Sequence, residues 1–171
     1  MWNAIATGAS RESPLWAEAL LPVEKRHPQP VFSAFVSTEL ALGVETIYEG
    51  YLLHYGRSRL FASPDTDTAL LLGDYLYAQG LVHVAATGNV AAVADLAELI
   101  SLCAQARAEG RNGDGAAWAA TAARLGAGSL HAARDALRLE ADPSSLDVAA
   151  RESVGAERVK QALAAHALLV G

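Results

Sequence analysis

The stretch YLLHYGRSRLFASPDTDTALLLGDYLYAQG, residues 51–80, decides the fold. Its first residues complete the series Val44, Ile47, Tyr48, Tyr51, Leu52 and Tyr55, spaced by three and four, which predicts a helix over 44–55 stopped by Gly56. A loop follows over 57–65, and SPDTDT offers several side-chain caps for a second helix over about 67–87. The stretch therefore reads as two helices joined by a short loop. Each helix is built to stand beside a site, yet the loop holds little that does chemistry.

Working outward, Gly88 closes the second helix and Asn89 caps another over 90–109. Gly110 to Gly115 forms a turn, and helices follow at about 116–125 and 129–140. Asp142-Pro143 is a cap with proline at the first helical position, and 144–169 is helical with a break at Gly155. Towards the N-terminus, VFSAFVSTELAL predicts a helix over 31–42 stopped by Gly43. Ser13 caps a short helix that opens on Pro14, and the three prolines of LLPVEKRHPQP exclude regular helix. No β alternation and no fixed-period repeat occurs. The expected fold class is all-α, a helical bundle in one domain over 1–171.

Composition supports this. Of 171 residues, 52% are hydrophobic, enough for a real core, and alanine and leucine outweigh β-branched and aromatic types. The formal net charge of −6 with no Lys/Arg cluster argues against nucleic-acid binding. A single cysteine, Cys103, excludes an intramolecular disulfide and fits a reducing cytoplasm. The N-terminus lacks a signal-peptide pattern, and no uncharged apolar run reaches the length of about 18 residues needed to span a bilayer. The helices over 67–87 and 90–109 are apolar on most sides, so each must lie centrally or against a partner, and oligomerisation is expected.

The candidate chemical groups are few. Zinc, P-loop and nucleophile-elbow motifs are absent. Cys103, among Ile100, Leu102 and Ala104, reads as a buried inert thiol. Glu45 and Glu49 share a helix face and have the spacing to bind a divalent metal, but a bundle di-iron site also needs Glu-x-x-His pairs. A solvated face is the preferred reading. Asp74, on a mostly apolar helix, is either paired in the bundle or lines a pocket, and Gly73 beside it lets something approach the backbone closely. Arg57 and Arg59 flank Ser58 just past a helix end. They are able to bind phosphate, though favourable positive charge at a helix C-terminus is the simpler account. His54, His83 and His166 lie on different helices and read as core or interface residues.

Four segments in order carry a resemblance. GDYLYAQGLVHVAATGN followed by AELISLCAQARAEG resembles a helix pair of the trans-isoprenyl (polyprenyl) diphosphate synthases. VETIYEGYLLHYG is similar to the preceding helix, which in that family runs into Leu-Leu-His-Asp-Asp, and AWAATAARLGA to the later helix ending in Arg-Leu-Gly-Ala. The resemblance covers about 31–127, with 128–171 as additional C-terminal helices. The departures matter as much. Family members hold Mg²⁺ on two aspartate-rich motifs, because a diphosphate leaves only when metal neutralises it. Here Leu52-Leu53-His54 is followed by Tyr55-Gly56, the loop to Asp74 is shorter than the family's, and Asp65 and Asp67 read as caps. The stretch 128–141 offers only Asp135 and Glu140, and EKRHPQP stands where a Gly-Lys-Arg-like segment belongs.

The resemblance thus implies a truncated isoprenoid-synthase-like fold without catalytic or metal residues of its own. The implied type is the small, non-catalytic subunit of a heteromeric synthase, such as component 1 of heptaprenyl diphosphate synthase. It would complete the dimer and help shape the product tunnel, with Tyr75, Leu76, Tyr77, Leu81 and Val84 as tunnel candidates and Asp74, Arg57 and Arg59 as polar pocket candidates. No cofactor is expected in this chain, and Mg²⁺ is expected on a catalytic partner. The partner is a catalytic synthase subunit, in a heterodimer or heterotetramer, or a second copy in a self-dimer. The competing expectations are a weakly active prenyltransferase with an eroded metal site using Asp65, Asp67, Asp74, Arg57 and Arg59, and a helical interaction protein unrelated to isoprenoids.

Overall fold

A computed structural model of the chain describes residues 1–62 and 65–170. Ser63 and Pro64, part of the expected cap-rich loop, lie outside the described residues. Among those described, the fold is all-α: α1 (Trp2–Glu12), α2 (Pro14–Glu18), α3 (Thr38–Tyr55), α4 (Thr66–Ala85), α5 (Val90–Ala108), α6 (Asp114–Ala123), α7 (His131–Glu140), α8 (Ser144–Val154) and α9 (Ala156–Val170). Short 3₁₀ turns occur at Val23–Lys25 and Ser33–Phe35. Extended pairing among the described residues is one isolated bridge, Leu20 with Phe61. No described helix is long and apolar enough to cross a membrane.

The caps fall where local chemistry puts them. The Ser13 hydroxyl accepts from Leu15 N at 3.2 Å ahead of Pro14. The Asp65 carboxylate accepts from Thr68 N at 2.8 Å, and the Asn89 side chain from Ala92 N at 3.0 Å. Gly155, with φ of 92°, separates α8 from α9. Two boundaries differ from the sequence reading. Residues 2–12 form a helix that no capping signal announces, since Met1 makes no side-chain cap; its buried face is Ile5, Ala6 and Ala9. The helix expected over 31–42 and the one over 44–55 are a single helix that begins at Thr38.

Gly43 does not stop α3 because its missing side chain is a packing feature. α3 and α4 run antiparallel, and glycines seven apart on each meet in pairs. A Cβ on Gly43 would lie 2.9 Å from Gly80 O and run into Val84, and one on Gly50 would lie 2.7 Å from Gly73 O. Two turns of each helix therefore approach backbone to backbone, and that contact outweighs the roughly 1 kcal/mol intrinsic penalty of a helical glycine.

α3 is the central helix. It buries Val44, Ile47, Tyr48, Tyr51 and Leu52 against Phe32, Leu96, Leu99, Trp118 and residues of α7 to α9. A smaller cluster of Ile5, Ala9, Leu60, Phe61, Leu72 and Leu76 sits beneath α1 and α2. α4 buries one face, Leu72, Gly73, Leu76, Gly80 and Val84, and leaves Leu70, Leu71 and Val82 exposed at 44%, 63% and 58%.

Candidate functional site

The segment after α3 turns back over that helix and brings Arg59 down between Glu45 and Glu49. All three are buried. Arg59 donates from Nη2 to Glu45 Oε2 and from Nε to Glu49 Oε1, each at 2.6 Å. The remaining carboxylate oxygens are also engaged. Glu45 Oε1 accepts from Ser33 Oγ at 2.5 Å and Val31 N at 3.3 Å, and Glu49 Oε2 from Ser58 Oγ at 2.5 Å and Arg59 N at 3.2 Å. The guanidinium lies 4.6 Å from the Trp2 ring centroid and 4.9 Å from that of Tyr48. Burial opposes its charge, but the two carboxylates overcome this and hold the Arg59 pKa above its ordinary value.

This overturns the reading of Glu45 and Glu49 as a solvated face. Helical spacing shows that two carboxylates share a face, but not which segment folds over it. Buried charges persist when each finds partners, and here every carboxylate oxygen has a donor. The same donors leave neither glutamate free to chelate a metal. Among the described residues, no group of three or more His, Cys, Asp or Glu side chains is placed to hold one.

Above this triad lies a groove of about 980 Å³, bounded by the Leu21–His27 segment, the end of α3, the Arg57–Ala62 strap, the first turn of α4 and Leu169 of α9. Arg57 and Arg59 both line it. Arg57 is exposed; its backbone N–H donates to Leu169 O at 2.8 Å, and its Nη2 reaches Leu168 O at 3.4 Å. It thus supplies positive charge at a helix C-terminus, but the carbonyls it meets belong to α9, not to α3, which it follows in sequence.

Asp74, the third polar pocket candidate, does not line this groove. It is on the outer side of α4, 72% exposed, with Oδ1 3.2 Å from His54 Nε2. The His54 ring stacks on Tyr77 with centroids 5.1 Å apart and covers Gly73, the close approach that Gly73 permits. Burial lowers the His54 pKa even though Asp74 favours its charged form. The tunnel candidates divide between the two cores. Tyr75 packs on Trp16 at 4.2 Å and Leu76 is buried in the smaller cluster, whereas Tyr77, Leu81 and Val84 pack against the main one. All five contact this chain's own helices, and none lines the large groove.

A second polar cluster crosses the main core. Tyr48 OH and His166 Nδ1 are 2.8 Å apart, joining α3 to α9. Tyr51 OH donates to Asp114 Oδ2, and Arg107 Nε donates to the same oxygen at 2.8 Å. Burial works against ionisation of Asp114, yet the Tyr51 hydroxyl, the Arg107 guanidinium and the nearby His166 ring hold its carboxyl well below the usual carboxylate range. His166 Nε2 stands 3.7 Å from Asp114 Oδ2, beyond hydrogen-bond reach, so the ring acts on Asp114 through space. Burial pushes the Tyr48 and Tyr51 hydroxyls up, so both stay protonated at neutral pH. Cys103 lies buried beside this cluster with its thiol pushed up by burial, as its apolar neighbours implied. Arg107 and Asp114 were not distinguishable in the sequence from other surface charges; the phenol Tyr51 that joins them comes from a helix about sixty residues earlier.

Searches against protein-family models, curated proteins and solved structures return no match to this chain.

Proposed function

We propose that this chain is a non-catalytic helical subunit of a heteromeric polyprenyl diphosphate synthase, pairing with a catalytic subunit and helping to shape its product tunnel. One observation carries the reading: the glutamates on α3, which resembles the helix preceding the family's first aspartate motif, are engaged by Arg59, and the end of α3 faces a groove lined by Arg57 and Arg59. A diphosphate-ionising enzyme needs carboxylate oxygens free for Mg²⁺. Here the metal belongs to the partner.

Two further features support the reading. The quoted motif segments fall on α3, α4, α5 and α6 in order, and α3 and α4 meet through paired glycines, a rigid seam on which a tunnel wall can be set. Leu70, Leu71 and Val82 leave apolar surface on the outer side of α4 for a partner helix. In this reading Tyr75, Leu76, Tyr77, Leu81 and Val84 act from behind, fixing the position and stiffness of α4 in the wall.

The test is affinity capture of the tagged chain from its native lysate with mass spectrometry, followed by assay of the recovered complex. We expect a full-length synthase at near-equal amount, no product from the chain alone with Mg²⁺, and a changed product length when the chain is added to the recovered synthase. A chain that comes down without a synthase sinks the subunit reading. Product formed by the chain alone replaces it with an active, eroded enzyme.

A further inference from the structure

The chain has three asparagines, Asn3, Asn89 and Asn112, and they stand in different surroundings. An asparagine loses ammonia spontaneously when the main-chain nitrogen of the next residue attacks its side-chain amide carbon. The reaction needs an unheld side chain, an unbonded N–H after it and room to close a ring, because the attacking and attacked atoms must reach a near-attack geometry. Asn3 lies in α1, and the N–H that follows it, that of Ala4, donates to Met1 O at 2.9 Å. The Asn89 side chain is held as the cap of α5 by Ala92 N at 3.0 Å, and the Val90 N–H donates to Gly88 O at 3.1 Å. Asn112 is exposed in the loop between α5 and α6. Among the described residues nothing pairs with its side chain or accepts from the Gly113 N–H, and Gly113 has no side chain to obstruct the attack.

The chain is fixed on both sides of Asn112. Arg111 N donates to Ala106 O at 2.8 Å, and Arg111 Nη1 donates to Arg138 O at 2.6 Å. Gly113, at φ of 120°, is packed so closely that a Cβ there would lie 2.7 Å from Leu137 Cδ1, and its carbonyl accepts from Ala117 N at 2.9 Å. Asp114 follows at once, with Arg107 and Tyr51 on its carboxylate.

We propose that Asn112–Gly113 is a site of spontaneous deamidation whose isoaspartyl product loosens the Asp114 anchor. Gly113 N gives its proton to water and bonds to Asn112 Cγ, ammonia leaves, and a succinimide closes. Water then opens the ring at either carbonyl. Attack at Cγ leaves an ordinary aspartate, and attack at the main-chain carbonyl leaves isoaspartate, in which the chain runs through Cβ and Cγ. The net change is loss of ammonia and gain of water. Isoaspartate adds one carbon, about 1.5 Å, between two fixed points, so Arg111 or Asp114 must give up contacts. Aspartate keeps the chain length and puts its charge beside the first turn of α6, where negative charge is favourable. The two products therefore differ in stability although they carry the same charge. The site is a property of this chain alone and does not depend on the subunit reading.

The test is to age the full chain in mildly alkaline buffer at body temperature and follow each asparagine by peptide mapping, with fragmentation that separates isoaspartate from aspartate. We expect conversion of Asn112 at least about tenfold faster than that of Asn3 or Asn89, with isoaspartate among its products. The aged, isoaspartate-rich chain should melt below the fresh chain. Asn112→Asp, which supplies the charge without the extra carbon, should melt with the fresh chain, and Asn112→Gln aged in parallel should keep its melting temperature. Conversion of Asn112 no faster than that of Asn89, or products without isoaspartate, overturns the proposal. So does an aged chain that melts together with Asn112→Asp, or an Asn112→Gln chain that loses as much on ageing as the unsubstituted one.

Discussion

The ionic cluster around Arg59 and the one around Asp114 are built on opposite plans. The Glu45–Arg59–Glu49 cluster is dry and local: its charged groups lie within fifteen residues of sequence, and both carboxylates are 0% exposed. The Asp114 cluster is distributed. It draws Tyr48 and Tyr51 from α3, Arg107 from α5, Asp114 from α6 and His166 from α9, and Arg107 keeps 28% of its side chain in solvent. The first fixes how the strap after α3 and the segment 29–33 before it lie on one helix. The second fixes how four helices stand relative to one another. The physical contrast is in what happens when a partner is lost. A dry carboxylate has no water to turn to, whereas a partly exposed guanidinium does.

The largest expected effect is therefore at the dry cluster. Arg59→Met leaves two buried carboxylates without a counter-charge, and we expect a loss of about 3–5 kcal/mol in denaturant unfolding. The combination Glu45→Gln, Glu49→Gln and Arg59→Met, which removes the charges together, should recover much of that loss. If it is no more stable than Arg59→Met alone, the cluster is not held by charge pairing. At the distributed cluster, Tyr48→Phe removes the bond between α3 and His166 while preserving the ring packing. We expect a smaller loss, about 1–2 kcal/mol, read in the same way. A loss equal to that of Arg59→Met would erase the contrast.

The smallest effect is a pH dependence specific to the distributed cluster. The Asp114 pKa is depressed in the folded chain, so its stabilisation is fully present above the unfolded carboxylate value of about 3.9 and is lost as pH falls below that value toward the folded one. Asp114→Asn should remove this part of the acid destabilisation, flattening the stability profile below about pH 4 while lowering stability at neutral pH. An acid limb unchanged by Asp114→Asn would place the acid sensitivity elsewhere.

Much of the architecture was legible because it is written in neighbouring residues. Asn89 caps α5, Asp65 caps α4 and Gly155 breaks the last helical stretch, since a cap needs only a side chain and an N–H two or three positions away. Gly43 shows where that logic fails. A glycine at a helix end and a glycine at a helix crossing are the same letter, and the partner that distinguishes them, Gly80, is on another helix. The candidate site divides in the same way. Arg57 and Arg59 were visible as a pair, and they do line one groove, but Asp74 points to the outer side of α4.

The sequence by itself determined that the chain is all helical, where most helices begin and end, and that Cys103 is buried, because alanine-leucine composition, caps and apolar spacing act over a few residues. Only the tertiary structure decided that Glu45 and Glu49 are buried, that α3 runs unbroken through two glycines, and that Lys25, Arg57 and Leu169 share a groove. Burial and charge pairing depend on which distant segment folds back over a face, and a pattern along one helix does not contain that information.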